Sequence, residues 1–184
     1  MAKIVLASCD PVYYELYAES FQKSAQNDTY IYVVEDNPWN DKSYYACARY
    51  LILPEMIEEH GGVFVADIDA VFLKPIPFPD TKIGLVKTSP KNHRTEWEQR
   101  GQHVMAGVFY CSDVDIASQI RYNIQQLPKK WFVDQIAIHE IIKDEKSRTY
   151  FQKPPNDFVI MPRGEGKNSR EFRKLINTVI KNHS

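Results

Sequence analysis

The chain has 184 residues, 43% apolar and 26% charged, enough apolar surface to bury a core without disulfides or a structural metal; one domain, residues 1–184, is expected. Its 23 Lys and Arg against 24 Asp and Glu leave a net charge of −1, which argues against a function built on a large basic field for nucleic acid or anionic membrane. The three cysteines, Cys9, Cys47 and Cys111, lie far apart in apolar or helical stretches and read as buried thiols in a reducing compartment. The opening MAKIVLASCD lacks the apolar block and cleavage site of a signal peptide, and no run approaches the ~18 apolar residues of a membrane span. A cytoplasmic protein without a transmembrane segment is the expectation.

In chain order, Lys3 to Ala7 is an apolar run that predicts a buried strand, and Ser8-Cys9-Asp10-Pro11 is turn chemistry before a helical pattern from Val12 to about Ala25. Tyr30 to Val34 predicts a second strand. After a loop containing Pro38 and Trp39, Ser43 is placed to cap a helix over Tyr44 to His60, which Pro54 must kink or restart. Gly61-Gly62 ends it, since glycine accepts the left-handed conformation after a helix, and Val63 to Ala66 follows as a buried strand. Ile83 to Lys87 and Val104 to Cys111 are further strands, separated by the polar stretch Thr88 to His103, whose length points to a functional loop or disorder. A helix starts at Asp113 or Asp115 and runs to about Leu127, another runs from Val133 to Lys143, and short strands sit at Thr149 to Gln152 and Phe158 to Ile160. A final helix over Ser169 to Ile180 follows the polar loop Arg163 to Lys167. Strands alternating with helices predict an α/β sandwich on a partly parallel sheet, with one or two antiparallel strands added later in the chain.

The most informative segment is His60-Gly-Gly-Val-Phe-Val-Ala-Asp67-Ile68-Asp69-Ala-Val-Phe-Leu-Lys-Pro75. If its strand stays extended, Asp67 and Asp69 point to one side at the C-terminal rim of a parallel sheet, where ligands bind. Two carboxylates so close need a cation or hydrogen-bond donors, and Mg²⁺ or Mn²⁺ carrying phosphate oxygens would serve. A lone Asp-x-Asp is usually only a turn. Between a Gly-Gly helix stop, a buried strand and a second apolar run, however, the segment resembles the Asp-x-Asp region of the GT-A glycosyltransferases, and most closely the small sugar transferases.

The resemblance implies a single GT-A, Rossmann-like nucleotide-sugar-binding domain with a mixed, mostly parallel central sheet, and a transferase acting on a nucleotide diphosphate sugar, UDP-linked first among donors. It makes Asp69 a direct metal ligand, and Asp67 a ligand or a contact to the donor ribose; Ile68 lies between them. Strand one and its loop, with Ala7, Ser8, Asp10 and Tyr13, look like the base-binding edge. Asp10 can equally cap the helix it precedes, and Tyr13 can stack on a base or simply pack. Arg49, in Tyr45-Ala-Cys-Ala-Arg49, matches the helix Arg that holds the donor or the motif carboxylates; the plain alternative is a residue on the polar face.

Val104-Met-Ala-Gly107 resembles the strand beside the donor sugar, where Gly107 permits close backbone approach. Asp134-Gln135 resembles the Asp-Gln element of the retaining branch, which would put Asp134 on sugar hydroxyls and Gln135 near the anomeric carbon; Asp134 could instead be an N-cap. Lys167 or Arg163 is a candidate to cover the diphosphate, or part of a solvated turn, and the segment is not a phosphate loop by its spacing. No third metal ligand is evident: Asp157 and His183 are the available residues. Within Thr88 to His103, the residues His93, Arg94, Trp97, Arg100 and His103 are where an acceptor could lie.

The resulting expectation is a hexosyltransferase acting on a carbohydrate or other hydroxyl acceptor, retaining, with Mn²⁺ or Mg²⁺, no specific nucleic acid, and a homodimer allowed. Two rivals stand beside it. A sugar-phosphate nucleotidyltransferase would favour a basic glycine-rich loop near the N-terminus, which this sequence lacks, and a non-catalytic nucleotide-sugar-binding module would bind donor without transferring it. A metal-dependent phosphohydrolase fits less well, because a second metal cluster is not evident.

Overall fold

Strand β1 (Ile4–Cys9) is buried at all six positions, because helices cover both faces of the sheet it sits in. The computed structural model describes residues 3–87, 96, 100, 104–143, 145–146, 148–151, 158–162 and 164–182. Along β1 the side chains divide strictly by parity: Ile4 and Leu6 enter one core, Val5, Ala7 and Cys9 the other. β3 (Val63–Ala66) repeats the pattern, with Val63 and Val65 on one face and Phe64 and Ala66 on the opposite one.

The main sheet has six strands in the order β2-β1-β3-β6-β5-β7, with β2 at Asp28–Val33, β5 at Ile83–Lys87, β6 at Val104–Cys111 and β7 at Arg148–Phe151. Pairs β1–β2, β1–β3 and β5–β7 are parallel, and only β6 runs against its neighbours β3 and β5. The sheet is therefore mixed and mostly parallel. The expected antiparallel addition is β6, whereas β7 joins the edge in parallel, and β8 (Val159–Ile160) leaves the sheet to pair with β4 (Val71–Phe72).

On one face lie α2 (Ser43–Leu51), α3 (Leu53–His60), α4 (Val114–Gln126) and α5 (Val133–Ile142); on the other lie α1 (Pro11–Ala25) and α6 (Arg170–Asn182). Pro54 restarts the helix as expected, at the first turn of α3, and Gly61 ends it at φ 76° with its N–H donating to Ile57 O at 2.7 Å. Asp113 caps α4 by accepting from Ile116 N–H at 3.0 Å.

The cap at α2 differs from the expectation. Ser43 is inside the helix, at its first position, and Asp41 Oδ1 accepts the Ser43 N–H at 2.8 Å instead. An aspartate two residues upstream reaches the free amide as an Asx turn, so the serine is redundant as a cap. All three cysteines are free and buried, and among the described residues no helix is long and apolar enough to cross a membrane.

Candidate active site

The C-terminal ends of the parallel strands β1 and β3 open on one rim, and antiparallel β6 brings its early residues there, because Ala66 pairs with Val108. The strand does not run on through both acids: β3 stops at Ala66 and a turn follows, closed by Ala70 N–H donating to Asp67 O at 2.9 Å. Asp67 and Asp69 are thus displayed by a turn at the rim rather than by strand alternation.

Asp67 sits in a cradle. Its N–H donates to Gly107 O at 3.2 Å, and its carboxylate lies so close over Gly107 that a Cβ there would fall 2.3 Å from Oδ2. Gly107 does permit a close approach, and the group that makes it is Asp67. From the other side Arg49 Nη2 reaches Asp67 Oδ1 at 2.7 Å.

Arg49 is 1% exposed and is tied to this rim: Nη1 donates to Ala66 O at 3.0 Å, Nη2 to Ala106 O at 3.5 Å, and its backbone N–H to Ser8 Oγ at 3.1 Å, while Nε has no hydrogen-bond partner among the described residues. It is not a surface residue. Burial opposes its charge, but the Asp67 carboxylate, with Asp134, outweighs that and holds the guanidinium protonated. Ser8 in turn donates to Tyr45 O, so β1, α2, β3 and β6 are bound to one another through Arg49 and Ser8. The Tyr50 hydroxyl, next to Arg49 in α2, donates to Ala106 O. A tyrosine at helical spacing in an apolar stripe carries no signal that its hydroxyl is used.

Asp69 is 3% exposed, and the ammonium of Lys167 stands on its Oδ2. The pair is charge-assisted, and Oδ2 has no other partner among the described residues. Burial and then the neighbouring Asp67 charge push the Asp69 carboxyl up to about 6, against the pull of Lys167 and Arg49. Lys167 comes from a short 3₁₀ turn, Gly164–Asn168, where a polar loop was expected, and its ammonium also lies 5.3 Å from the Tyr13 ring centre. Asp10 is the N-cap of α1, accepting from Tyr13 N–H at 2.8 Å, which leaves its base-reading role as an expectation only.

Asp134 is buried at the second position of α5 and is not its N-cap; Phe132 occupies that place, at φ 73°. Its carboxylate accepts the Gln135 N–H at 2.8 Å and is raised by burial, with Arg49 opposing. Gln135 is half-buried, whereas Ala7 and Ile68 are core residues whose side chains face away from solvent. Contacts therefore gather Ser8, Arg49, Asp67, Asp69, Gly107 and Lys167, with Tyr13 joined through Lys167 and Asp134 through its charge on Arg49. Of the other residues expected from the sequence, Asp157, His183, Arg163, His93, Arg94, Trp97 and His103 lie outside the described residues, and Arg100 pairs with Glu140 at 3.2 Å.

As a donor set, Asp67 and Asp69 offer the hard oxygens that Mg²⁺ or Mn²⁺ takes, yet each already faces a cation of the chain. Among the described residues no group of three or more His, Cys, Asp or Glu side chains is placed to hold a metal ion.

No family model and no curated protein matches this sequence. Solved structures do match in shape. A glycosyltransferase involved in the glycosylation of the major capsid of the virus PBCV-1 superposes with a TM-score of 0.68 at 11% identity, covering 97% of this chain and 100% of that one. The fold is GT-A. The WbbM bifunctional glycosyltransferase shares it with a TM-score of 0.53 at 14% identity, over 82% of this chain, which spans 38% of WbbM. The inositol-1-phosphate CTP transferase from T. maritima matches with a TM-score of 0.55 at 12% identity, over 99% of this chain and 97% of that one. Identities this low establish the GT-A architecture and nothing finer.

Proposed function

We propose that the chain moves a sugar from a nucleoside diphosphate sugar, with UDP-sugars first among donors, to a hydroxyl of a carbohydrate or similar acceptor. The observation that carries the reading is the convergence of two acids, Asp67 and Asp69, with two cations, Arg49 and Lys167, on the C-terminal rim of a GT-A sheet. That rim is where open α/β sheets take their ligands.

In the transfer, the bond between the anomeric carbon and the β-phosphate oxygen breaks, and its electron pair leaves with the diphosphate. The acceptor oxygen forms the new bond, and in the retaining course its proton passes to the departing diphosphate oxygen. The demand on the protein is to neutralise that oxygen and align the acceptor. Lys167, 30% exposed at its side chain, is the cation with an open face toward such a group. Arg49 holds Asp67 and the two strand ends in place, and Asp134 supports the Arg49 charge from behind. Gln135, half-buried one residue on, is the nearer candidate for the sugar. A Mn²⁺ or Mg²⁺ ion held by Asp67 and Asp69 would supply Lewis-acid neutralisation of the same leaving group, and it would have to share Asp69 with Lys167.

A panel of nucleotide sugars tests the reading, read by thermal stabilisation and by donor hydrolysis, with Asp69→Ala as control. Stabilisation and hydrolysis of at least one donor, lost in the variant, are expected; no response to any donor with or without Mn²⁺ refutes it. The near-complete mutual coverage with the CTP transferase favours a second reading, nucleotidyl transfer to a sugar phosphate. Pyrophosphate release from a nucleoside triphosphate and a sugar phosphate, without turnover of any nucleotide sugar, would select it.

A further inference from the structure

We propose that Lys167 is the resident cation of this site: its ammonium takes the place of a divalent ion at Asp69, and a nucleoside diphosphate binds through it without divalent metal. This rests on the nucleotide-donor reading and specifies how that donor is held.

Access argues first. Asp69 is 3% exposed and Lys167 stands on its Oδ2, so an ion reaches that oxygen only by displacing the ammonium. Displacement is opposed by how the lysine is held. Its 3₁₀ turn leads directly into α6, which Ser169 caps through the Phe172 N–H at 3.1 Å and which the buried Phe172 ties to the core shared with α1. The Tyr13 ring, 5.3 Å from the ammonium, adds a second attraction. A lysine fixed at its backbone and gripped at its head is a built-in charge rather than a mobile surface chain.

Charge pairing argues next. Asp67 and Asp69 are each already paired with a cation of the chain, Arg49 and Lys167. A dication binding at Asp69 must therefore break an ion pair. An ammonium, by contrast, has three donors. One direction serves Asp69, and the exposed part of the side chain leaves room for phosphate oxygens. The position also lies on the strand-end rim, where a diphosphate would need to sit for Asp69 and the Tyr13 edge to frame it.

Isothermal titration of the full chain with UDP, with ADP, GDP and CDP alongside, in EDTA and in Mn²⁺, tests the proposal. The wild type, Lys167→Met and Lys167→Arg are compared after circular dichroism and melting confirm each is folded. A nucleoside diphosphate is expected to bind the wild type in EDTA, with Mn²⁺ changing the Kd less than about threefold; Lys167→Met should lose tenfold or more in EDTA, and Lys167→Arg should keep most of the affinity. Mn²⁺ titrated alone, followed by its electron paramagnetic resonance signal, should find no site in the wild type and one in Lys167→Met. Binding of nucleotide only with Mn²⁺, or equal Mn²⁺ binding by wild type and Lys167→Met, overturns the proposal and leaves the donor reading standing. No binding of any nucleotide in either buffer overturns both.

Discussion

Replacing Gly107 by alanine tests the geometry on which the site depends. The added Cβ would lie 2.3 Å from Asp67 Oδ2, 2.9 Å from Cγ and 3.2 Å from Oδ1, so the whole carboxylate must move rather than one flexible tip. Moving it parts Asp67 from Arg49, a guanidinium that is 1% exposed and has no route to water in exchange. Breaking a fully buried ion pair costs about 3–5 kcal/mol. The Asp67 side chain is 40% exposed and regains hydration as it swings out, so the expectation falls to about 1–3 kcal/mol once solvent screening is allowed for. In a domain of this size that lowers Tm by about 2–12 °C. The matched control is Gly166→Ala, where a Cβ meets nothing within 4 Å; it should be neutral or slightly stabilising. Thermal melts of the three proteins, together with nucleotide titration, decide the matter. A Gly107→Ala protein that melts within about 1 °C of the wild type and binds nucleotide as well would refute the cradle.

Arg49→Lys keeps the charge but loses the planar fork that spans Asp67, Ala66 O and Ala106 O; a loss of about 1–3 kcal/mol is expected by urea denaturation, and an unchanged midpoint would show that the fork is dispensable. Asp113 has its carboxyl lowered chiefly by the Lys82 side chain, against the opposing effect of burial, and further by the Ile116 N–H. A carboxylate depressed in the folded state stabilises above its unfolded pKa of about 3.9, and that contribution fades as pH falls through its lower folded value. Asp113→Ala should therefore cost about 1 kcal/mol at pH 7, with the gap in melting temperature narrowing below about pH 4; a gap independent of pH would contradict it. Burial pushes the Cys9 and Cys111 thiols up to about 12 and Cys47 well above the ordinary thiol value. A disulfide reagent should thus label none of the three in the native chain and all of them in denaturant, and rapid native labelling would place a thiol at the surface.

Local physics made much of this chain readable from its residues. Strand β3 announces itself because four apolar residues follow a glycine able to take the left-handed conformation, and both features depend only on neighbours. The same holds for the restart at Pro54, the cap at Asp113 and the burial of the cysteines. Arg49 was legible as a paired charge, since an arginine within an apolar helical stretch needs a partner; the resemblance offered the donor or the motif carboxylates, and the fold decides for Asp67. Even at short range the reading failed once: Ser43 was expected to cap α2, yet Asp41 accepts the amide, an outcome settled by the path of the loop.

Contacts between distant segments belonged to the tertiary structure alone. Nothing near Lys167 indicates that its ammonium stands on Asp69, and nothing in Val104-Met-Ala-Gly107 says that the glycine makes room for Asp67 rather than for a ligand. Strand direction is of the same kind: the short β7 looks alike whether it pairs parallel or antiparallel, and the chain path back to the sheet edge decides. Periodicity and capping are energies between residues a few positions apart, so they leave a pattern in the sequence. An ion pair or a strand pairing across the fold is an energy between residues whose nearness only folding creates, and it leaves none.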